Sequence, residues 1–314
     1  MSQDPAEPSS AFSPPHAPTP EFQRDFQRAI EDWAAATKGK DPEAAQAAAI
    51  QALALAAEEA ERNRSPTILL QQKADELESQ GKWPEAEGTR RQVLSLAESE
   101  GNPGISAKAQ LDLAQHLRMR GRMQEALDGV AAAVDLARSS GISTLLAMML
   151  DARGGLLLEA NRAAEALGSF DEAMSATDPE LGVSMRARIH AARARCYVML
   201  GEEAKAEEDL KACREYLDGI VIGVFPGPIS LKCRWLEASA ALAASRRDFA
   251  KAIEAIEQAL RWWQQLEGAT AQVARARLLS KMADYCNQAG DERRARSARD
   301  EQATLWSRLG LESV

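Results

Sequence analysis

The side chains in this chain best suited to chemistry are basic rather than nucleophilic. Lys108, Arg118, Arg188, Arg195, Arg234 and Arg277 recur through its last two thirds, and the stretch from Arg186 to Arg195 (RARIHAARAR) is the most basic in the protein. A guanidinium presents a planar fork of donors that pairs with carboxylates in bidentate fashion. A row of arginines therefore points to recognition of acidic groups, not to bond breaking. The chain holds no G-x-x-x-x-G-K-[ST], no G-x-G-x-x-G opening a helix and no H-E-x-x-H. His16, His116 and His190 stand far apart, which argues against a His-rich metal site. Cys196, Cys213, Cys233 and Cys286 lack C-x-x-C spacing and read as small buried apolar side chains. Acid runs such as Glu58-Glu59 and Glu202-Glu203 read as solvated surface, and the scattered tryptophans form no stacking platform for bases. The expectation is a protein that is not an enzyme and uses no metal or cofactor.

The elements that must position these side chains are helical. Hydrophobic residues make up 45% of the chain but aromatic residues only 5%, and alanine abounds while β-branched runs are nearly absent. Small, straight side chains favour helix and close helix packing, which sets the fold class as all-α. The net charge of −9, most of it carried by the first hundred residues, is not the footprint of a nucleic-acid binder. Residues 1–20 hold Pro5, Pro8, Pro14, Pro15, Pro18 and Pro20 and read as a disordered tail. This tail has neither the basic start nor the apolar centre of a signal peptide, and no apolar run is long enough to span a membrane, so a cytoplasmic protein is expected.

From Glu21 onward helical patterns alternate with breaks at Gly39, Gly81, Gly121, Asn161, Gly201, Arg247 and Gly290, roughly every 40 residues. Glycine and asparagine tolerate the left-handed conformation that ends many helices, and Arg247 is the exception in type. Five positions after every break stands alanine: Ala44, Ala86, Ala126, Ala166, Ala206, Ala252 and Ala295. Seven positions before it stand Ala74, Ala114, Gly154, Ala194, Ala240 and Ala283, with Asp32 alone breaking the rule. Paired small residues let two antiparallel helices approach closely, and a larger one at either site would cost about 1–3 kcal/mol. Larger apolar residues at helical spacing surround them, among them Leu113, Leu117, Val130, Leu157, Phe170, Tyr197, Leu210 and Ile256.

These positions resemble the tetratricopeptide motif, W-x2-L-G-x2-Y followed by A-x3-F. The third pair reads Gln110, Leu113-Ala114, Leu117, then Ala126 and Val130. The fourth reads Leu150, Arg153-Gly154, Leu157, then Ala166 and Phe170. The resemblance covers about residues 21–309 and weakens at both ends, where the first pair lacks its small residue and Arg299 replaces a large apolar one. It implies a right-handed α-solenoid of about seven antiparallel helix pairs, a single domain over 21–314, with a longer repeat than the usual 34 residues. One joint differs: residues 217–229 mix three glycines and two prolines with Ile220, Val221, Ile222, Val224 and Phe225, which read either as a packed loop or as an apolar contact for a partner.

In tetratricopeptide arrays the first helix of each pair lines a concave groove. Carried over, that geometry puts the residue thirteen before each break on the inner face: Lys108, Met148, Arg188, Arg234 and Arg277. Arg118 and Arg195 follow on the same faces, beside Gln115 and Asp151. The lysine/asparagine clamp of chaperone-binding members is not matched by Leu111, Gln115, Asp151, Gly155, Ala191 and Arg195. The resemblance thus implies a scaffold or adaptor that holds a peptide or protein segment, acidic in character, along the arginine row. The alternative is a peptide-sensing regulator whose superhelix changes pitch on binding. Protein or peptide is the expected partner, without nucleic acid, and an open stack leaves end faces through which a homodimer could form.

Overall fold

The computed structural model describes residues 20–39, 41–62, 66–179, 182–220 and 226–311. Within these residues the regular elements are fourteen helices: α1 (Pro20–Lys38), α2 (Pro42–Arg62), α3 (Pro66–Ser79), α4 (Trp83–Ser99), α5 (Pro103–Met119), α6 (Met123–Ser140), α7 (Ser143–Glu159), α8 (Ala163–Ala176), α9 (Val183–Met199), α10 (Glu203–Asp218), α11 (Pro226–Ser245), α12 (Phe249–Trp263), α13 (Ala269–Gln288) and α14 (Glu292–Leu309). The chain divides into two compact units, residues 1–69 and 70–314, with the boundary inside α3. The Pro-rich segment lies outside the described residues except for Pro20, which opens α1.

The first unit contains the α1–α2 pair. Among the described residues of that pair Ala29, Ala48 and Ala52 are buried, and Phe22 stacks on Phe26 at 5.3 Å. The repeat register slips here: Ala44 and Asp32 are both exposed, and Gly39 stays out of the left-handed region. Instead the Asp41 carboxylate caps α2 by accepting from the Ala44 N–H.

In the second unit the repeat is regular. Gly81, Gly121, Asn161, Gly201, Arg247 and Gly290 all adopt positive φ, between 59° and 80°. Each turn closes in one way. At Gly121 the N–H donates to the Arg118 carbonyl and the next N–H, from Arg122, reaches back to Leu117, so two orphan carbonyls of α5 are satisfied. Arg247, the exception in type, is no exception in geometry: its N–H donates to Ala244 and that of Asp248 to Ala243. The small residues on either side of each turn are wholly buried, from Ala74 and Ala86 to Ala283 and Ala295. Gly154 is small by necessity, because a Cβ there would lie 2.5 Å from the Phe170 ring. Arg299, where a large apolar residue was expected, is exposed, and Ala298 takes the buried place beside it.

The pairs stack so that α5, α7, α9, α11 and α13 face inward, and the core runs between them and their outer partners. In an open solenoid each repeat touches only its neighbours. Here the last helix also meets the first turn of the unit. The buried Trp83 indole Nε1 donates to the Leu309 carbonyl at 2.8 Å, and Gly81 and Gly310 lie against one another. Leu305, Trp306 and Leu311 join Trp83 in one apolar cluster. The second unit therefore closes on itself.

Candidate binding site

Closure brings the inward faces of five helices to one lining, and the predicted row meets there. Position thirteen before each turn puts Arg188 on α9, Arg234 on α11 and Arg277 on α13, pointing to carboxylates on other helices. Asp151 on α7, whose side chain is 1% exposed, pairs with both Arg188 and Arg234. Glu159, at the end of α7, accepts from Arg118 on α5 at 2.8 Å and from Arg277 on α13 at 2.7 Å. Glu237 on α11 pairs with Lys281 on α13 at 2.6 Å and lies 4.0 Å from Arg195 on α9. Lys108 pairs with Asp112 along α5, and Gln115 is exposed one turn further on. Met148 is partly open, at 37%.

Electrostatics follow from this crowding. Two guanidiniums held within hydrogen-bonding distance of one oxygen repel each other by roughly 3 kcal/mol at an effective dielectric of about 20. Burial pulls Arg277 below its ordinary value, and Arg118 beside it adds to the effect. Burial likewise lowers Lys281, more than Glu237 restores, with Arg195 pushing the same way. Burial alone would raise Glu237, but Lys281, Arg195 and Arg234 outweigh it and hold the carboxyl below the usual range. Glu237 is largely enclosed, with 18% of its side-chain surface open to solvent. In these pairs six cations, Arg118, Arg188, Arg195, Arg234, Arg277 and Lys281, face three carboxylates, Asp151, Glu159 and Glu237.

At one end of this lining lies a cavity of about 300 Å³ bounded by Gln71, Asp75, Glu78, Arg90, Lys108, Asp112, Gln115, His116, Met119 and Thr270. Under it sits a polar network, buried except at Asp75: Glu78 faces His116 Nδ1 at 2.8 Å and accepts from Arg90 Nε at 3.1 Å, and Arg90 reaches the exposed Asp75 at 2.6 Å. Sequence reasoning did not find this network, nor Glu159, Glu237 and Lys281. A signal was present for Glu237, which stands ten positions before its turn just as Asp151 does. None was present for Glu159, two residues before its turn, whose partners come from two other repeats.

The remaining candidates fall elsewhere. Ile220 is partly buried against Ala187, Ala191, Cys213, Leu217 and Leu231, while Val221, Ile222, Val224 and Phe225 lie outside the described residues. His190 Nδ1 is 2.6 Å from the Asp209 carboxylate, which also holds Arg193. The four cysteines are free and buried, and burial pushes the thiols of Cys196, Cys213 and Cys233 up to about 12. Among the described residues no three His, Cys, Asp or Glu side chains gather as a metal site, and no helix is long and apolar enough to cross a membrane.

No protein-family model and no curated protein sequence matches the chain. Its fold is tetratricopeptide-like, and solved structures share it. The apo form of RapI superposes with a TM-score of 0.61 at 12% identity, over 92% of this chain and 98% of that one. The Rap conjugation gene regulator of plasmid pLS20, solved in complex with a peptide, gives 0.57 at 10% identity, over 93% and 78%. Aspartyl phosphate phosphatase F from Bacillus subtilis gives 0.59 at 12%, over 94% and 73%. At these identities the likeness is one of fold.

Proposed function

We propose that this chain is a non-catalytic cytoplasmic adaptor that holds a segment of another protein, or a free peptide, against the inner face of α5, α7, α9, α11 and α13. Lys108, Gln115, Arg118, Arg188, Arg195, Arg234 and Arg277 are its contact residues, and the buried Asp151, expected among them, instead orients Arg188 and Arg234. The observation that carries this reading is convergence: side chains scattered over 160 positions of sequence, from Arg118 to Arg277, meet through shared carboxylates on a partly open lining. That a structure of like fold was solved with a peptide supports it. The phosphatase of like fold shares 12% identity with this chain, a likeness of fold alone, and both described histidines here face carboxylates. Four buried free thiols suit a reducing compartment.

The test uses a natural partner captured by crosslinking and then purified. The double reversal Arg188→Glu with Arg195→Glu should weaken its binding about tenfold or more, with a smaller salt dependence. Arg214→Glu, on the exposed side of α10, should leave it unchanged. Equal affinity for wild type and the inner-face reversal, both shown folded by circular dichroism, would sink the reading.

A further inference from the structure

The pairing inside the groove has an arithmetic that the arginine row alone did not show. Glu159 is shared by two cations, Asp151 by two and Glu237 by two. At Glu159 the sharing is extreme: Arg118 and Arg277 each bring a single Nη1 to the same oxygen, Oε1. At Glu237 both cations turn to the same Oε2. A guanidinium has five N–H donors and binds a carboxylate best through two parallel bonds. Arg118, Arg188, Arg234 and Arg277 make one each to their carboxylate, Arg195 stays 4.0 Å from Glu237 without a hydrogen bond, and the five side chains remain roughly a fifth to a third exposed to the groove. Each of the three sets carries one positive charge more than its carboxylate balances. Lys108 is matched by Asp112, and Asp284, exposed one turn beyond Lys281, offsets only part of the surplus.

Resting on the reading that the groove holds a peptide, we infer that its ligand is an extended acidic segment bearing two or three side-chain carboxylates, each completing one of the half-filled cation pairs. Asp151 and Glu159 stand eight residues apart on α7, about 12 Å along its axis, neighbouring inner helices lie roughly 8–10 Å apart and an extended chain rises about 3.3 Å per residue, so the carboxylates recur about every third or fourth residue. The ligand's carboxylates and the protein's own compete for the same forks. Glu159 and Glu237 are thus internal stand-ins for the ligand. They keep the empty groove from unfolding under its own charge and limit affinity when it fills.

Competition gives a test that a merely structural role does not pass. The probe is a fluorescein-labelled ten-residue peptide with Glu at every third position in a Gly/Ser background, capped at both ends, beside the same peptide with Gln. Fluorescence anisotropy at low salt should show the Glu peptide binding at least about tenfold more tightly than the Gln peptide. Arg277→Gln should weaken binding, and Glu159→Gln should tighten it by about tenfold, because two freed forks then meet the ligand's carboxylates. Glu237→Gln provides the same reading at a second set should Glu159→Gln fail to fold. No binding of the Glu peptide, equal binding of the Gln peptide, or weaker binding by both Glu→Gln variants overturns the inference. Tripolyphosphate binding as tightly, with the same response to Glu159→Gln, would make the ligand a phosphate and overturn the peptide assignment. The adaptor reading fails separately, when the Arg188/Arg195 reversal leaves a natural partner's affinity unchanged.

Discussion

Arg90 shows how one residue departs from its repeat. Four positions after the small alanine the third to sixth pairs place Val130, Phe170, Leu210 and Ile256, and α4 places an arginine that is 93% buried. A charge in such a place must be paired, and Glu78 and Asp75 supply the partners, Glu78 being shared with His116. Burial would raise the Glu78 carboxyl, but His116 and Arg90 outweigh it and hold it below its ordinary value. A carboxyl lowered on folding stabilises the fold above its unfolded value, near 4.5, and that stabilisation is lost as pH falls through the folded value. Glu78→Gln should cost about 3 kcal/mol at pH 7, because it leaves Arg90 with Asp75 alone. It should also flatten the decline of stability below pH 4.5. Urea unfolding at pH 7, 5 and 4 checks both, and an unchanged pH slope would show that another carboxyl carries it. Reading only the small positions of the register hid this cluster, though the intruding arginine was visible in the sequence.

At the scale of elements the helix pair is the unit that the sequence specifies well. Turn, small residue and apolar neighbour all fall within one pair, so the interactions that enforce them are local in sequence. Arg247 illustrates how far geometry tolerates composition. A non-glycine residue in the left-handed region costs roughly 1–2 kcal/mol, and glycine gives back about half of that as unfolded-chain entropy. Arg247→Gly should therefore raise stability by about 0.5–1 kcal/mol with no change in fold, read from the denaturation midpoint. A loss of stability would mean that the Arg247 side chain has a stabilising role of its own. The first pair, with Ala44 and Asp32 both exposed, shows the limit of the register: abundant alanine matches a pattern without serving it.

For the second unit as a whole, closure is the feature that makes a site out of a stack. It rests on Trp83 and the end of α14, joined across 226 residues. Trp83→Phe keeps most of the ring but removes the donor and leaves the Leu309 carbonyl unpaired. It should cost about 1–3 kcal/mol and loosen the contact, seen as a lower melting temperature and a larger radius in small-angle scattering. An unchanged radius and melting temperature would place the closure elsewhere. A pitch change on ligand binding would have to act against this same contact. The sequence by itself determined the all-α class, the repeat and the turn positions, because each depends on residues within a few turns of one another. Only the tertiary structure decided that the stack closes, that Glu159 meets Arg277 across 118 residues, and that three carboxylates each serve two cations. Closure sums small rotations over six helix pairs, and no local pattern records that sum.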